Sequence, residues 1–439
     1  MDAKFHKHIK NIQLFKQKLC HWGNHFDPFV ILDSCEYNQN QSSEKNYYEY
    51  DFLAVVKAQK FCCPSAENKF EQVKEFVQNS RKWIFGYFSY DLKNEIELLK
   101  SNHLDEVQFP DVQFFIPELV FASINNELFI YDNNQQYTID ALNHIVQQID
   151  AVDLQSMNTI NQPVKILSRF DKDEYLETVI QLKNHIQRGD IYEINLCQEF
   201  YSHSSLNPLS TWLKLKEASP APFSCFYKTG NHFLLSASPE RFLKKTGNKI
   251  ISQPIKGTIR RGKSQQEDNF LKDKLFNDPK ERAENVMIVD LVRNDLSRTA
   301  KKGTVNVEEL YGIYSFEQVH QMISTVVSEV ETNVSIIDII KNAFPMGSMT
   351  GAPKVRAMEL VEQYEKTKRG LYSGAVGYIT PDKDFDFNVV IRSILYNQLK
   401  NYVSFTVGGA ITSLSVPENE YEECMVKAQA MFHVLNNQP

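Results

Sequence analysis

Basic charge, paired cysteines and long apolar runs are what this sequence has little of. Its 439 residues hold 48 Lys and Arg against 55 Asp and Glu, a net charge of −7. Nucleic-acid binders present a basic face, so this balance argues against nucleic acid as a main partner. No stretch of about 18 apolar residues occurs, so nothing reads as a membrane span. The start, MDAKFHKHIKNIQLFKQK, is basic but has no apolar centre, and so is no secretory signal. The seven cysteines (Cys20, Cys35, Cys62, Cys63, Cys197, Cys225 and Cys424) are odd in number and form no C-x-x-C pair, against a zinc site or disulfide framework. Reduced thiols in the cytoplasm are the simplest reading. There is no nucleophile elbow, P-loop or dinucleotide fingerprint, and no repeat of solenoid period.

What is present is an ordinary globular composition, 42% hydrophobic and 23% charged, in a chain long enough for two to three domains. Residues 1–150 read as short strands and loops, with FVILDS at 29–34, DFLAVVKA at 51–58, WIFGYFSYDL at 83–92 and ELFIYD at 127–132. The polar run at 38–46 reads as a loop, and the polar stretch at 153–163 as a boundary between regions 1–155 and 165–435. Beyond it, Tyr175, Val179, Leu182 and Ile186 recur at helical spacing and Gly189 stops the helix. Residues 191–200 alternate, with Tyr192, Ile194 and Leu196 on one face and Glu193, Asn195 and Cys197 on the other. Strand-like runs lie at 232–237, 249–256, 373–380, 386–394 and 402–407, and helical runs near 280–297, 353–366 and 418–435. Helices and strands cluster instead of alternating, which favours an α+β sheet assembly over a doubly wound fold.

Several residues could carry chemistry. On a helix beginning near Pro417, Glu420, Glu423 and Lys427 share one face, and Cys424, Ala428, Met431 and Leu435 form the apolar stripe beside it. Two such carboxylates could hold Mg2+, with water and a substrate carboxylate completing its octahedron, although a lone helical Glu is usually solvated. Lys256, in PIKGT, could be a nucleophile if a low-dielectric pocket drew off its proton, or an exposed residue before the turn at Gly257. Gly408-Gly409 after YVSFTV, and Gly351 before a helix starting at Pro353, allow close approach of an anion to backbone N–H groups; plain turns look the same. Arg392, among apolar residues of VVIRSI, is either structurally paired or a fork for a carboxylate.

The order of SASPERFL (236–243), PIKGT (254–258), ERAENVMIVDLVRNDLSR (281–298), GSMTGAPKVRAME (347–359), SGAVGYI (373–379), NVVIRS (388–393), VGGAI (407–411) and EYEECMVKA (420–428) resembles the chorismate-utilising enzymes. The resemblance is strong over 165–435 and weak over 1–150. It implies large antiparallel sheets packed together and flanked by helices. It also implies Mg2+ as cofactor, with Glu284 and Glu423 as ligands and Glu420 close by. Tyr378 and Arg392 match positions that hold the enolpyruvyl carboxylate. Thr350, Gly351, Gly408, Gly409, Ala410 and Lys427 match substrate-binding positions. Glu240 matches the general acid that protonates the departing C4 hydroxyl, a role that requires burial.

Lys256 decides the branch. Anthranilate and isochorismate synthases usually carry Ala there, whereas PIKGT resembles the aminodeoxychorismate branch. In that branch the Lys amine attacks C2 as the C4 hydroxyl leaves, and ammonia then enters at C4 and expels the Lys. The implied activity is that of a transaminase-type transferase serving para-aminobenzoate and folate synthesis. Two positions depart from the pattern. Glu193 stands where relatives usually have Gln, or Lys in isochorismate synthases, and Gln321 stands where many have His, with His320 just before it. No Gly-rich cysteine setting for glutamine hydrolysis appears, so a separate amidotransferase is expected to supply ammonia. The alternatives are an anthranilate synthase component or a non-catalytic protein that only binds chorismate.

Overall fold

The computed structural model describes residues 2–37, 49–154 and 164–436. The run expected to be a loop at 38–46 lies outside them, as does most of the expected boundary. Among the described residues are twenty strands and eleven α-helices. The strands join into one hydrogen-bonded network in which every pairing between named strands is antiparallel. The architecture is the α+β assembly the clustering of elements predicts.

Strands from the two halves of the chain pair directly. Phe29–Asp33 lies against Phe223–Thr229, and Ile84–Phe88 against Ala375–Ile379. Alternation along Phe29–Asp33 sends Val30 into one core, and Phe29 and Ile31 into the other. The first core also takes Leu53, Phe85, Val376 and Phe387, and is capped by helices Lys69–Gln78, Pro279–Ser297 and Ile336–Ala343. The second takes the apolar faces of helices Ile12–Gly23, Ile139–Asp150, Lys172–Arg188, Pro208–Ala218 and Pro417–Asn436.

The reading of 1–150 as strands and loops missed the short helix Lys93–Ile96 and three longer ones. Ile12–Gly23 begins at Asn11, whose side chain accepts from Leu14 N, and buries Ile12, Phe15 and Leu19. Lys69–Gln78 buries Phe70, Val73 and Val77, and Ile139–Asp150 buries Leu142, Val146 and Ile149. Each has only three or four apolar anchors among polar residues, so the denser strand runs dominate the local pattern. Elsewhere the expected elements stand, except that the runs at 249–256 and 386–394 are each divided between two strands. Gly189 ends its helix at φ 83°, and the helix over 417–436 seats Cys424, Ala428, Met431 and Leu435 on the core. Tyr192, however, precedes its strand and is exposed, while both faces of Glu193–His203 are buried.

These elements frame one end of the sheet. Tyr402–Ile411 pairs along Glu193–His203 over ten residues, and Gly351–Ala352 extends that strand's other edge. Ile255–Arg260 pairs with Val319–Glu329, and helix Pro279–Ser297 lies across both.

Candidate active site

A cavity of about 800 Å³ opens where these elements meet, within the size range of small-molecule sites. Eight of the thirteen residues singled out from the sequence line it: Glu240, Lys256, Glu284, Arg392, Gly408, Ala410, Glu423 and Lys427. They arrive from six separate segments of the chain, so only the tertiary fold brings them together.

Lys256 stands on the strand Ile255–Arg260 with its Nζ 2.6 Å from Glu193 Oε1. Glu193 is almost wholly buried and its other oxygen, Oε2, has no hydrogen-bond partner. Burial was expected to lower the Lys256 pKa and free its amine. Burial does work that way, but the carboxylates of Glu193, Glu284 and Glu423 outweigh it, and the pKa lies above the ordinary lysine value. Lys256 therefore rests as an ammonium.

Glu240 follows the strand His232–Ser238 and is buried, as the acid role requires. Burial raises its pKa to about 7, against smaller opposing effects from Ser348 and Lys256. Arg392 corrects the sequence reading. It lies in a break between strands Phe385–Val389 and Ser393–Asn397, not on a strand, and its φ of 49° is left-handed. Non-glycine residues rarely adopt that conformation, and such strain gathers at functional sites. Among the described residues no carboxylate pairs with its guanidinium, and burial lowers its pKa. A half-buried Arg facing a cavity without a counter-ion is a receptor for an anionic ligand.

The acidic residues form a loose group around lysines. Lys280 Nζ lies 3.8 Å from Glu284 and 3.9 Å from Glu420, and Lys427 Nζ lies 2.6 Å from Glu423 and 2.9 Å from Gly408 O. Burial raises Glu284 to about 7, and Glu284 Oε1 is buried without a hydrogen-bond partner. Burial also raises Glu420, whereas for Glu423 its effect is outweighed by Lys427, which holds the carboxyl low. Among the described residues no three acidic, His or Cys side chains form a ready-made cage. An all-oxygen pair with one orphaned oxygen does fit Mg2+, which takes one or two carboxylates and fills its shell with water and substrate.

Five residues fall outside the cavity wall. Tyr378 lies on Ala375–Ile379, no residue of which lines the main cavity, and packs among Tyr50, Trp83 and Phe85 at a separate small cavity; Tyr372 lines the main one. Thr350 is fully buried, and its backbone carbonyl accepts from Asn195 N. Gly351, at φ 145°, lies so close to Glu193 that a Cβ would meet Glu193 O at 2.2 Å. Both therefore fix the strand that carries Glu193 instead of meeting a ligand. Gly409 faces Glu420 and Glu423, where a Cβ would sit 3.6 and 3.8 Å from their oxygens, and Glu420 lies behind it. Gln321 does line the cavity, with Oε1 buried and unpartnered, while His320 turns away onto Asp268 at 2.9 Å and cannot stand in for it. Sequence reasoning missed Lys280. Its signal was the i, i+4 spacing to Glu284 at the start of a helix.

Residues 27–433 match the family described as chorismate binding enzyme. Aminodeoxychorismate synthase, chloroplastic, of Arabidopsis thaliana is 33% identical over 430 residues, covering 93% of this chain but 45% of that protein. The chain thus spans about half the length of that relative. Aminodeoxychorismate synthase component 1 of Bacillus subtilis (strain 168) is 34% identical, covering 80% of this chain and 76% of the relative. Anthranilate synthase component I from Streptococcus pneumoniae TIGR4 shares the fold at a TM-score of 0.78 and 23% identity, over 90% of this chain and 94% of that one. The chain belongs to the chorismate-binding enzyme family.

Proposed function

We propose that this chorismate-binding enzyme is the aminating component of a 4-amino-4-deoxychorismate synthase, converting chorismate and ammonia to 4-amino-4-deoxychorismate. The observation that carries the reading is Lys256: an amine on the cavity wall, in the same cavity as the buried acid Glu240. Nucleophile and acid divide one awkward substitution into two displacements. The Lys256 amine forms a bond to C2 while both ring double bonds shift and the C4–O bond breaks, with Glu240 giving its proton to the departing hydroxyl. Ammonia then bonds to C4, the two double bonds return to their places, and the C2–N bond to Lys256 breaks.

Arg392 holds a substrate carboxylate through its unpaired guanidinium, and the backbone at Gly408 and Ala410 borders the same space. Glu284 and Glu423 would hold Mg2+. When bound, Mg2+ supplies the positive charge that neutralises the ring carboxylate. A separate glutamine amidotransferase supplies the ammonia, in keeping with the component 1 naming of the Bacillus relative. The product serves para-aminobenzoate and folate synthesis. We place the reaction in the cytoplasm. Among the described residues no helix is long and apolar enough to cross a membrane.

Mass analysis of the product from chorismate, ammonium salt and Mg2+ tests the reading. The expected product is 4-amino-4-deoxychorismate, with almost none from glutamine until an amidotransferase is added; anthranilate as the main product would overturn it. Glu284→Gln and Glu423→Gln should lose Mg2+-dependent turnover with the fold intact, and normal activity of both at limiting Mg2+ would remove the metal assignment.

A further inference from the structure

The nucleophile just assigned rests in the wrong protonation state. Lys256 is an ammonium, and an ammonium has no lone pair with which to attack carbon. Glu281 and Glu284 face it from helix Pro279–Ser297, Glu423 from helix Pro417–Asn436 and Glu240 from the turn after His232–Ser238. Among the described residues only Glu193 lies within hydrogen-bond distance of its Nζ.

Glu193 is placed for more than charge balance. It stands behind Lys256, outside the cavity wall, so it reaches the reaction only through Nζ. Its backbone is paired with Ala352 on one edge, and on the other edge its strand pairs with Tyr402–Ile411 from the next residue, Ile194, onward. Its carboxylate accepts one strong hydrogen bond through Oε1 and none through Oε2. A carboxylate away from water with one oxygen unsatisfied is poorly stabilised as an anion. Moving one proton across the 2.6 Å gap converts a dry ion pair into a neutral amine and a neutral acid.

We infer that Glu193 is the internal proton acceptor for Lys256, taking its proton before the attack on C2 and returning it when Lys256 is expelled. This rests on the reading of Lys256 as nucleophile. The protons balance over the cycle. Lys256-NH3+ and Glu193-COO− become Lys256-NH2 and Glu193-COOH. The amine attacks C2, and Glu240 gives its proton to the hydroxyl, which leaves as water. Ammonia attacks C4, the C2–N bond breaks and Lys256 departs as an amine. Glu193 returns its proton to that amine, and the new C4 ammonium gives one to Glu240. The sum is chorismate plus ammonia to the amino product plus water.

Because the proton never leaves the pair, formation of the Lys256 adduct should not depend on pH while Glu240 stays protonated. The test mixes enzyme and chorismate at saturating Mg2+ without ammonia and follows the adduct by intact-protein mass from about pH 5.5 to 7. The unsubstituted chain should give a rate that changes by no more than about twofold, the fall near pH 7 coming from Glu240, whose pKa is about 7. Glu193→Gln keeps the shape but cannot take the proton, so its rate should fall about 100-fold at pH 7 and about tenfold more for each unit below. Glu193→Asp should be slower than the native chain yet keep the level profile, which shows that a carboxylate, not mere packing, is required. A Glu193→Gln chain with native rate and level profile overturns the inference. So does one slowed by the same factor at every pH, which marks a structural role. If the unsubstituted chain forms no adduct, Lys256 is not the nucleophile and both readings fall.

Discussion

Asp33 and Glu193 are both carboxylates with almost no exposure, and each is held by lysine, yet their surroundings differ in completeness. Asp33 accepts from Lys16 at 2.8 Å and from Cys35 N at 3.0 Å through one oxygen, and from Lys216 at 2.9 Å through the other. Burial alone would push its pKa up, but the two ammonium groups outweigh that and hold it well below the usual carboxylate range. Glu193 has one lysine and one bare oxygen, and beside it Glu284 has a bare oxygen too. In the first cluster no proton has reason to move at neutral pH. In the second, Glu240 and Glu284 both titrate near 7. A buried charge that is fully paired serves the fold, whereas one left partly paired is available to a substrate, a cation or a travelling proton.

The contrast breaks most sharply at the nucleophile. Lys256→Ala should lower formation of the 4-amino product by more than about ten-thousand-fold, since a covalent route has no partial substitute. Chorismate should still bind, and residual chemistry should shift toward anthranilate-type products through direct attack at C2. An undiminished rate of 4-amino product, read by chromatography, would reopen the choice between the two synthases.

The complementary substitution is Asp33→Asn. It leaves Lys16 and Lys216 facing a neutral group, and breaking a buried ion pair in this way costs about 3–5 kcal/mol of stability. Urea unfolding at pH 7 should show that loss, while the product and the pH profile of adduct formation stay native. Because the Asp33 pKa is depressed, its contribution is present above the ordinary carboxylate range and fades only in strong acid. A chain of native stability, or one with altered chemistry, would erase the distinction between the clusters.

Local pattern carried much of this site. The stripe of Cys424, Ala428, Met431 and Leu435 oriented the last helix and so placed Glu423 and Lys427, and motif order brought in Glu240, Lys256 and Glu284. What failed to show depends on partners far along the chain. Glu193 and Lys256 are 63 residues apart, and no local rule pairs them. Tyr378 and Arg392 lie in motifs of the right composition, but one sits on a strand that does not reach the cavity and the other sits in a strand break. Tertiary placement decides the first and a single φ the second, and neither is written in residue type. The helices near the N-terminus were legible by spacing, but their anchors are sparse beside the strands' continuous apolar runs.

The smallest expected effect sharpens the comparison from the side of stability. Glu240 is 5% exposed, and burial raises its pKa from 4.5 to about 7. Between those values the folded chain holds a proton that the unfolded chain has released. The folded state then binds more protons, so stability falls as pH rises through this window and stays lower above it. At about 1.4 kcal/mol for each pKa unit, the loss amounts to about 3–4 kcal/mol by pH 8. Glu240→Gln has nearly the same volume and never ionises, so it removes this term while leaving the Lys256–Glu193 pair and Glu284 in place. Without Mg2+, the variant should match the native chain in urea unfolding at pH 4.5 and exceed it by about 3–4 kcal/mol at pH 8. Its turnover should fall by about 10²–10⁴, the usual contribution of a positioned acid. The same substitution thus stabilises the fold and disables the chemistry, as expected of a carboxyl that burial keeps protonated. If the two chains lose stability in parallel as pH rises, Glu240 titrates like an exposed carboxyl and cannot hold the proton that the leaving hydroxyl needs.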